Sequence, residues 1–322
     1  MANGQKQMLD FERPIIEIER RIAELREFSL HEDIEILKEI ERLEVKAKRL
    51  RKDIYSKLTR WQRVQLARHP ERPFSLDYID RIITDFIELH GDRNFRDDPA
   101  IVAGIGKLDN RPVAVIGQQK GRNTKEKLYR NFGMPHPEGY RKALRVMKLA
   151  AKFNRPIICL VDTPGAYPGL GAEERGQAEA IARNMFEMSH LPVPIIIVII
   201  GEGASGGALG IGVGDRVMMM ENTWYSVITP EGCASILFHD AAKAEVAAEA
   251  MKVAAKDLME MNLVDRIIEE PVGGAHADHD RAAAILKKVL NEELDTLMEV
   301  PRRQLVSQRV EKFGAMGVWK EG

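Results

Sequence analysis

Cysteine is scarce: Cys159 and Cys233 are the only two in 322 residues. That is too few for a disulfide framework or for a four-thiolate zinc site within the chain. Neither sign of charge is in excess, with 48 Lys and Arg against 49 Asp and Glu for a formal net charge of −1. Nucleic-acid binders usually carry an overall basic footprint, so nucleic acid is not an expected partner. Long apolar runs are missing too. The longest, residues 191–200, is half of the roughly 20 residues a membrane span needs. Met1 to Asp10 hold no apolar core of a secretory signal. These absences lead us to expect a soluble, cytoplasmic protein of a reducing compartment. What is present, 44% hydrophobic and 30% charged residues, fits a globular chain of one large domain or two small ones.

Residues 14–58 read as helix in two pieces. Ile15, Ile18, Ile22 and Leu25 share one face of the first. Ser29-Leu30-His31-Glu32 matches a capping box for the second, which carries Ile40, Leu43, Ala47, Leu50, Ile54 and Leu58 on one stripe. Such a stripe wants a partner, either the first helix folded back or another subunit. From about residue 100 short apolar runs alternate with helical stretches. Strands are predicted at 101–105, 113–116, 157–161, 193–200, 216–220 and 225–228. Helices are predicted at 138–153, 173–188, 241–261 and 281–297, followed by a polar tail. β-branched runs between helices predict an α/β architecture with strands buried on both faces.

The most informative segment is the apolar run 195–200 followed by Gly201-Glu202-Gly203-Ala204-Ser205-Gly206-Gly207-Ala208-Leu209. A buried strand there enters a glycine turn and then a short helix, whose leading N–H groups favour negative charge. Three chemistries overlap. Gly201, Gly203 and Gly206 spell the dinucleotide fingerprint, with Glu221 near the position of a ribose-binding acid. The next strand begins near Arg216, however, which leaves too short a helix for a dinucleotide unit. Gly203-Ala204-Ser205-Gly206-Gly207 also satisfies a nucleophile elbow, with Asp265 and His276 or His279 as the required partners. The third reading uses only backbone amides: Gly206 and Gly207 hold an oxyanion, completed by the turn Asp162-Thr163-Pro164-Gly165-Ala166-Tyr167-Pro168-Gly169 after another buried strand. Two glycine turns after neighbouring strands fit a pocket for an enolate or ureido anion best. No G-x-x-x-x-G-K-[ST] loop precedes Asp162, so a nucleotide-phosphate cradle is missing.

Between Lys120 and Arg145 lie Lys120, Arg122, Lys125, Lys127, Arg130, Arg141, Lys142 and Arg145, against only Glu126 and Glu138. Interleaved Gly121, Gly133, Pro135 and Pro137 predict a loop leading into a helix near Glu138. Lys120, Arg122 and Lys125 are expected to meet phosphates of a nucleotide-bearing substrate or an acidic partner. Arg141, Lys142 and Arg145 are expected on a solvated helix face.

The runs Lys120-Gly121-Arg122-Asn123-Thr124-Lys125-Glu126-Lys127, Arg130-Asn131-Phe132-Gly133-Met134-Pro135 and Pro137-Glu138-Gly139-Tyr140-Arg141-Lys142-Ala143-Leu144-Arg145 resemble the acetyl-coenzyme A carboxylase carboxyltransferase alpha-subunit family. So do Asp162 to Gly169, Gly171-Ala172-Glu173-Glu174-Arg175-Gly176-Gln177, Gly201 to Leu209, and Pro230-Glu231-Gly232-Cys233-Ala234-Ser235. The resemblance runs from Leu9-Asp10-Phe11-Glu12 to Gly273-Gly274-Ala275-His276; Ala204 and Gly210 stand where the family has glycine and alanine, swaps that keep a small residue. It implies a crotonase-like fold of coiled ββα units with an N-terminal helical region and C-terminal helices. It divides the chain into a helical region 1–90 for subunit contact, a carboxyltransferase core 91–275 within a family domain drawn at roughly 37–294, and a helix and tail 276–322.

The activity implied is carboxyl transfer from carboxybiotin on a biotin carboxyl carrier protein to acetyl-CoA, giving malonyl-CoA, in an α₂β₂ assembly that also depends on biotin carboxylase. Zinc is expected in the β subunit, and no metal in this chain. Gly206 and Gly207 are then expected to face the biotin ureido group and Gly165 and Ala166 to complete the oxyanion hole. Ser205 and Tyr167 are expected to form its wall. A stand-alone crotonase-type hydratase or thioesterase, or a mainly structural subunit, are the competing expectations. The first predicts activity without partners, the second tolerance of substitution at Gly206.

Overall fold

The computed structural model describes residues 9–28 and 34–317. The capping box expected at Ser29 to Glu32 lies outside them. Helices α1 (Arg13–Phe28) and α2 (Ile34–Ser56) pack on each other, burying Ile15 and Ile22 against Ile40 and Ala47, so the apolar stripe is answered within the chain. Helices α3 (Arg60–Ala67) and α4 (Ser75–Ile82) follow and lead into the sheet.

Eight strands form that sheet: β1 (Ile83–Glu88), β2 (Ile101–Leu108), β3 (Arg111–Gln118), β4 (Ile157–Thr163), β5 (Ile195–Ala204), β6 (Arg216–Met220), β7 (Trp224–Ser226) and β8 (Arg266–Ile268). The order is β1-β2-β3-β4-β5-β6-β8, with β7 pairing on the far end of β5. β1, β2 and β3 are antiparallel neighbours; every pair from β3 to β8 is parallel.

The connecting helices are α5 (Thr124–Tyr129), α6 (Pro137–Lys152), α7 (Leu170–Glu174), α8 (Gln177–His190), α9 (Ser205–Leu209), α10 (Pro230–Phe238), α11 (Ala244–Met251), α12 (Ala255–Glu260), α13 (His279–Met298) and α14 (Arg302–Gly314). Strand alternation sorts the core. Ile195, Ile197 and Ile199 face α6 and α8 through Tyr140, Val146, Met147 and Met188. Ile196, Val198 and Ile200 face α4 and α13 through Ile79, Leu286, Leu290 and Leu294. A run buried on both sides needs no polar alternation, which is why this segment reads as unbroken isoleucine and valine. Each such fully buried side chain contributes about 1.5–3 kcal/mol.

Several expectations needed correction. β1 and β8 were not anticipated. β1 is mostly exposed and interrupted by a register shift at Asp85, whose φ is +52°, and β8 has only three residues. The helix expected at 173–188 breaks at Gly176 (φ +82°), and that expected at 241–261 breaks at Lys252 (φ +53°), after which Ala254 bridges to Trp224. The polar tail is the helix α14, and the basic loop contains α5, capped by the Asn123 side chain accepting from Glu126 N–H. Arg141, Lys142 and Arg145 are not on a solvated face. They hold the 90–98 loop: Arg141 pairs with Asp92 at 2.8 Å, the fully buried Lys142 with Asp97 at 2.6 Å, and Arg145 donates to Gly91 O.

Candidate active site

β4 and β5 are parallel neighbours, and Thr163 is paired with Gly203, so both glycine turns leave the same edge of the sheet side by side. Carboxyl ends of adjacent parallel strands are the usual place for a ligand in α/β folds. The turns touch. A Cβ placed on Gly207 would lie 2.4 Å from the Gly165 carbonyl carbon and 2.6 Å from Ala166 N, distances no side chain tolerates. Gly165 itself has φ +148°, a region closed to most side chains, and open space where a Cβ would be. Gly206 is also open, with Ile181 as its nearest neighbour at 3.5 Å.

The amides are sorted by their partners. Gly165 N–H donates to Thr163 Oγ1 at 3.1 Å, and Tyr167 N–H to Pro135 O at 3.0 Å. Among the described residues, the N–H groups of Ala166, Gly206 and Gly207 donate to no protein acceptor outside their own short helix. Of the two β4-turn amides expected to donate, Gly165 spends its N–H internally and only that of Ala166 is left over. Tyr167 stacks on His136, with ring centroids 4.1 Å apart, and so braces the turn from behind. Beside Ser205 and Gly206 opens an apolar cavity of about 320 Å³, lined by Leu209, Tyr225, Val227, Leu258 and Phe313.

The competing chemistries lose their parts. Ser205 is exposed at φ +57°, but none of its proposed partners reaches it. Asp265 accepts from Val217 N–H and pairs with Lys312; His276 stacks on His69 and faces Glu12; His279 meets Glu71 O. α9 has five residues, too few for a dinucleotide-binding helix.

Comparison with known proteins then decides the lineage. A family described as acetyl co-enzyme A carboxylase carboxyltransferase-like matches residues 8–317. The acetyl-coenzyme A carboxylase carboxyl transferase subunit alpha of Chlorobium luteolum is 58% identical over 328 residues, covering 98% of each chain. That of a Geobacillus species is 58% identical over 309 residues, covering 96% of this chain and 95% of its own.

The chain belongs to the acetyl-CoA carboxylase carboxyltransferase family, as an alpha subunit.

Solved structures share the crotonase-like fold. The β subunit of geranyl-CoA carboxylase from P. aeruginosa aligns with a TM-score of 0.56 at 15% identity, over 75% of this chain and 45% of its own. Transcarboxylase 12S aligns at 0.52 and 19%, over 76% of this chain and 42% of its own.

In this alpha subunit the basic residues expected to form one anion site are divided. Lys120 is half-buried between Asp162 (2.7 Å) and Glu202 (2.6 Å). Arg122 reaches Asp77 and Pro70 O and lies over the Phe74 ring; Lys125 alone projects into solvent. Burial by itself would push Glu202 up, yet Lys120 on one side and Arg68 on the other hold it below the usual carboxylate range. Asp162, wholly buried and sharing only Lys120, is raised. The pairing of Arg68 with both Glu202 and Glu231 gave no signal in the sequence, because a partly buried ion pair between residues 134 positions apart leaves no local pattern. The network sits directly beneath both turns: Asp162 Oδ1 accepts Glu202 N–H at 2.9 Å, joining the ends of β4 and β5.

Proposed function

We propose that this chain supplies the biotin-facing half of a carboxyltransferase. With a β subunit, it moves the carboxyl group from carboxybiotin, carried by a biotin carboxyl carrier protein and charged by biotin carboxylase, to acetyl-CoA, giving malonyl-CoA. The observation that carries the reading is the pair of abutting glycine turns whose Gly206, Gly207 and Ala166 amides find no protein acceptor among the described residues. Loss of the carboxyl group leaves negative charge on the ureido oxygen of biotin. Amide donors already oriented toward that charge lower the barrier, and losing one such donor typically costs about 3–4 kcal/mol. The space in front of Gly165 and Gly206 suits a flat ring, and Ser205 and Tyr167 act as wall. Lys125 meets an anionic group of the substrate or partner, whereas Lys120 and Arg122 act through the scaffold they hold. Residues 1–90 serve subunit contact, consistent with Ile34, Leu37 and Val45 facing outward on α2. A zinc-bearing β subunit completes an α₂β₂ assembly.

The test is malonyl-CoA formation from charged carrier protein and acetyl-CoA, by the chain alone and after addition of a β subunit. Negligible turnover alone and robust turnover in the mixture are expected. Malonyl-CoA formation by the chain alone would overturn the shared-site reading, and acyl-CoA hydration or hydrolysis by the chain alone would support the hydratase or thioesterase alternative.

A further inference from the structure

Gln118 ends β3, which pairs directly with β4 and lies two strands from β5, and its side chain is fully buried. Its amide makes two hydrogen bonds to different turns. Oε1 accepts the backbone N–H of Asp162 at 3.0 Å, at the root of the β4 turn. Nε2 donates to the carbonyl of Gly207 at 2.7 Å, in the β5 turn. The orientation is not arbitrary, since a backbone N–H only donates and a carbonyl only accepts; the flipped amide would oppose donor to donor and acceptor to acceptor. Gln118 is itself fixed: its own carbonyl accepts from the Ser75 hydroxyl at 2.7 Å.

We infer that Gln118 is a positioning residue for the transfer step, a clamp that sets the spacing and tilt of the two amide-bearing turns relative to each other. It touches no reacting atom. The C=O of Gly207 lies in the peptide plane of Ala208, so the tether pins the backbone of Gly207 from its carbonyl side and leaves its N–H free, and the close packing of Gly207 on Gly165 and Ala166 passes that constraint to the second turn. Tyr140 Oη also approaches Gly207 O, but at 3.3 Å, so Gln118 is the shorter tether. No other side chain among the described residues bonds to the main chain of both turns. Misplacing donors by a fraction of an ångström weakens an oxyanion hole without altering how substrate is held elsewhere, so the signature is a fall in kcat at unchanged KM.

The inference rests on the carboxyltransferase reading, and the experiment separates the two. The assembled α–β enzyme is assayed for malonyl-CoA formation with Gln118→Met and Gln118→Glu in the α chain. Gln118→Met keeps the volume but removes both bonds; kcat falls by about tenfold to a hundredfold while KM for acetyl-CoA stays within about twofold. Gln118→Glu keeps the acceptor for Asp162 N–H but offers Gly207 O a donor only when protonated. Its activity relative to wild type therefore rises as pH is lowered, a profile a merely structural role does not produce. Should Gln118→Met fail to fold, the pH profile of Gln118→Glu decides alone. Wild-type kcat in Gln118→Met, a loss confined to KM, or a Gln118→Glu profile parallel to wild type overturns the inference. A wild-type mixture that forms no malonyl-CoA overturns the carboxyltransferase reading instead.

Discussion

Gly206 and Gly207 are adjacent in sequence and opposite in what they tolerate. At Gly207 even a methyl group meets the backbone of the neighbouring turn, so Gly207→Ala and Gly207→Val are both expected to force the turns apart, at roughly 1–3 kcal/mol of stability, and to abolish transfer. The obstacle is packing between the two turns, and Gly207 does not sit at positive φ. Gly206→Ala has room, so its thermal midpoint should match wild type and any loss of turnover is local to the site. Melting curves and turnover of the two variants side by side check this; equal destabilisation would contradict it. Ser205 is the second contrast. It holds φ +57° with no base near it, so Ser205→Gly should raise stability by about 1 kcal/mol by removing left-handed strain, and Ser205→Ala should keep most activity. Labelling of Ser205 by a fluorophosphonate probe would revive the hydrolase chemistry.

At the scale of elements, the sequence was most legible where a segment answers to one local rule. The strand β6 and the amphipathic α13 lie where periodicity set them, and the isoleucine-rich β5 does too except that it runs on through Gly201 to Ala204, because burial on two faces or one stripe is written into consecutive residues. It was least legible where a distant partner decides. α14 has weak amphipathicity of its own and is held by Arg309, which makes a bidentate pair with Asp215 at 2.9 and 2.8 Å and donates to the carbonyls of Met188, Leu191 and Val193. Nothing around residue 309 announces a residue nearly a hundred positions away. Both glycine turns were likewise visible, whereas the side chains tying them together come from β3, the residue after α3 and the basic loop. Arg309→Met should strand Asp215 as an unpaired buried carboxylate and cost about 3–5 kcal/mol. Chemical denaturation measures it, and a loss below about 1 kcal/mol would show that α14 is held chiefly by its apolar contacts.

Across the whole molecule, buried ion pairs set how the fold answers acid. Burial by itself would raise Glu270, but Arg72 beside it, together with bonds from Asn222, holds it down to about 2, against an ordinary value of 4.5. Asp97, paired with Lys142, is likewise lowered to about 2. A carboxyl held low in the folded state contributes stability that is complete above its unfolded value and is lost as pH falls toward the folded one. Resistance to urea should thus hold down to about pH 4.5 and decline steadily toward about pH 2. A profile flat across that window would mean these pairs contribute nothing.

The apolar cavity beside Gly206 takes one wall from Phe313 of α14 and from Met316 just after it, more than a hundred residues after the turn itself. On a ribosome, therefore, both glycine turns and the sheet that carries them emerge while that wall is still unmade. The pocket exists only once Phe313 and Met316 have emerged and α14 has docked against the earlier part of the chain.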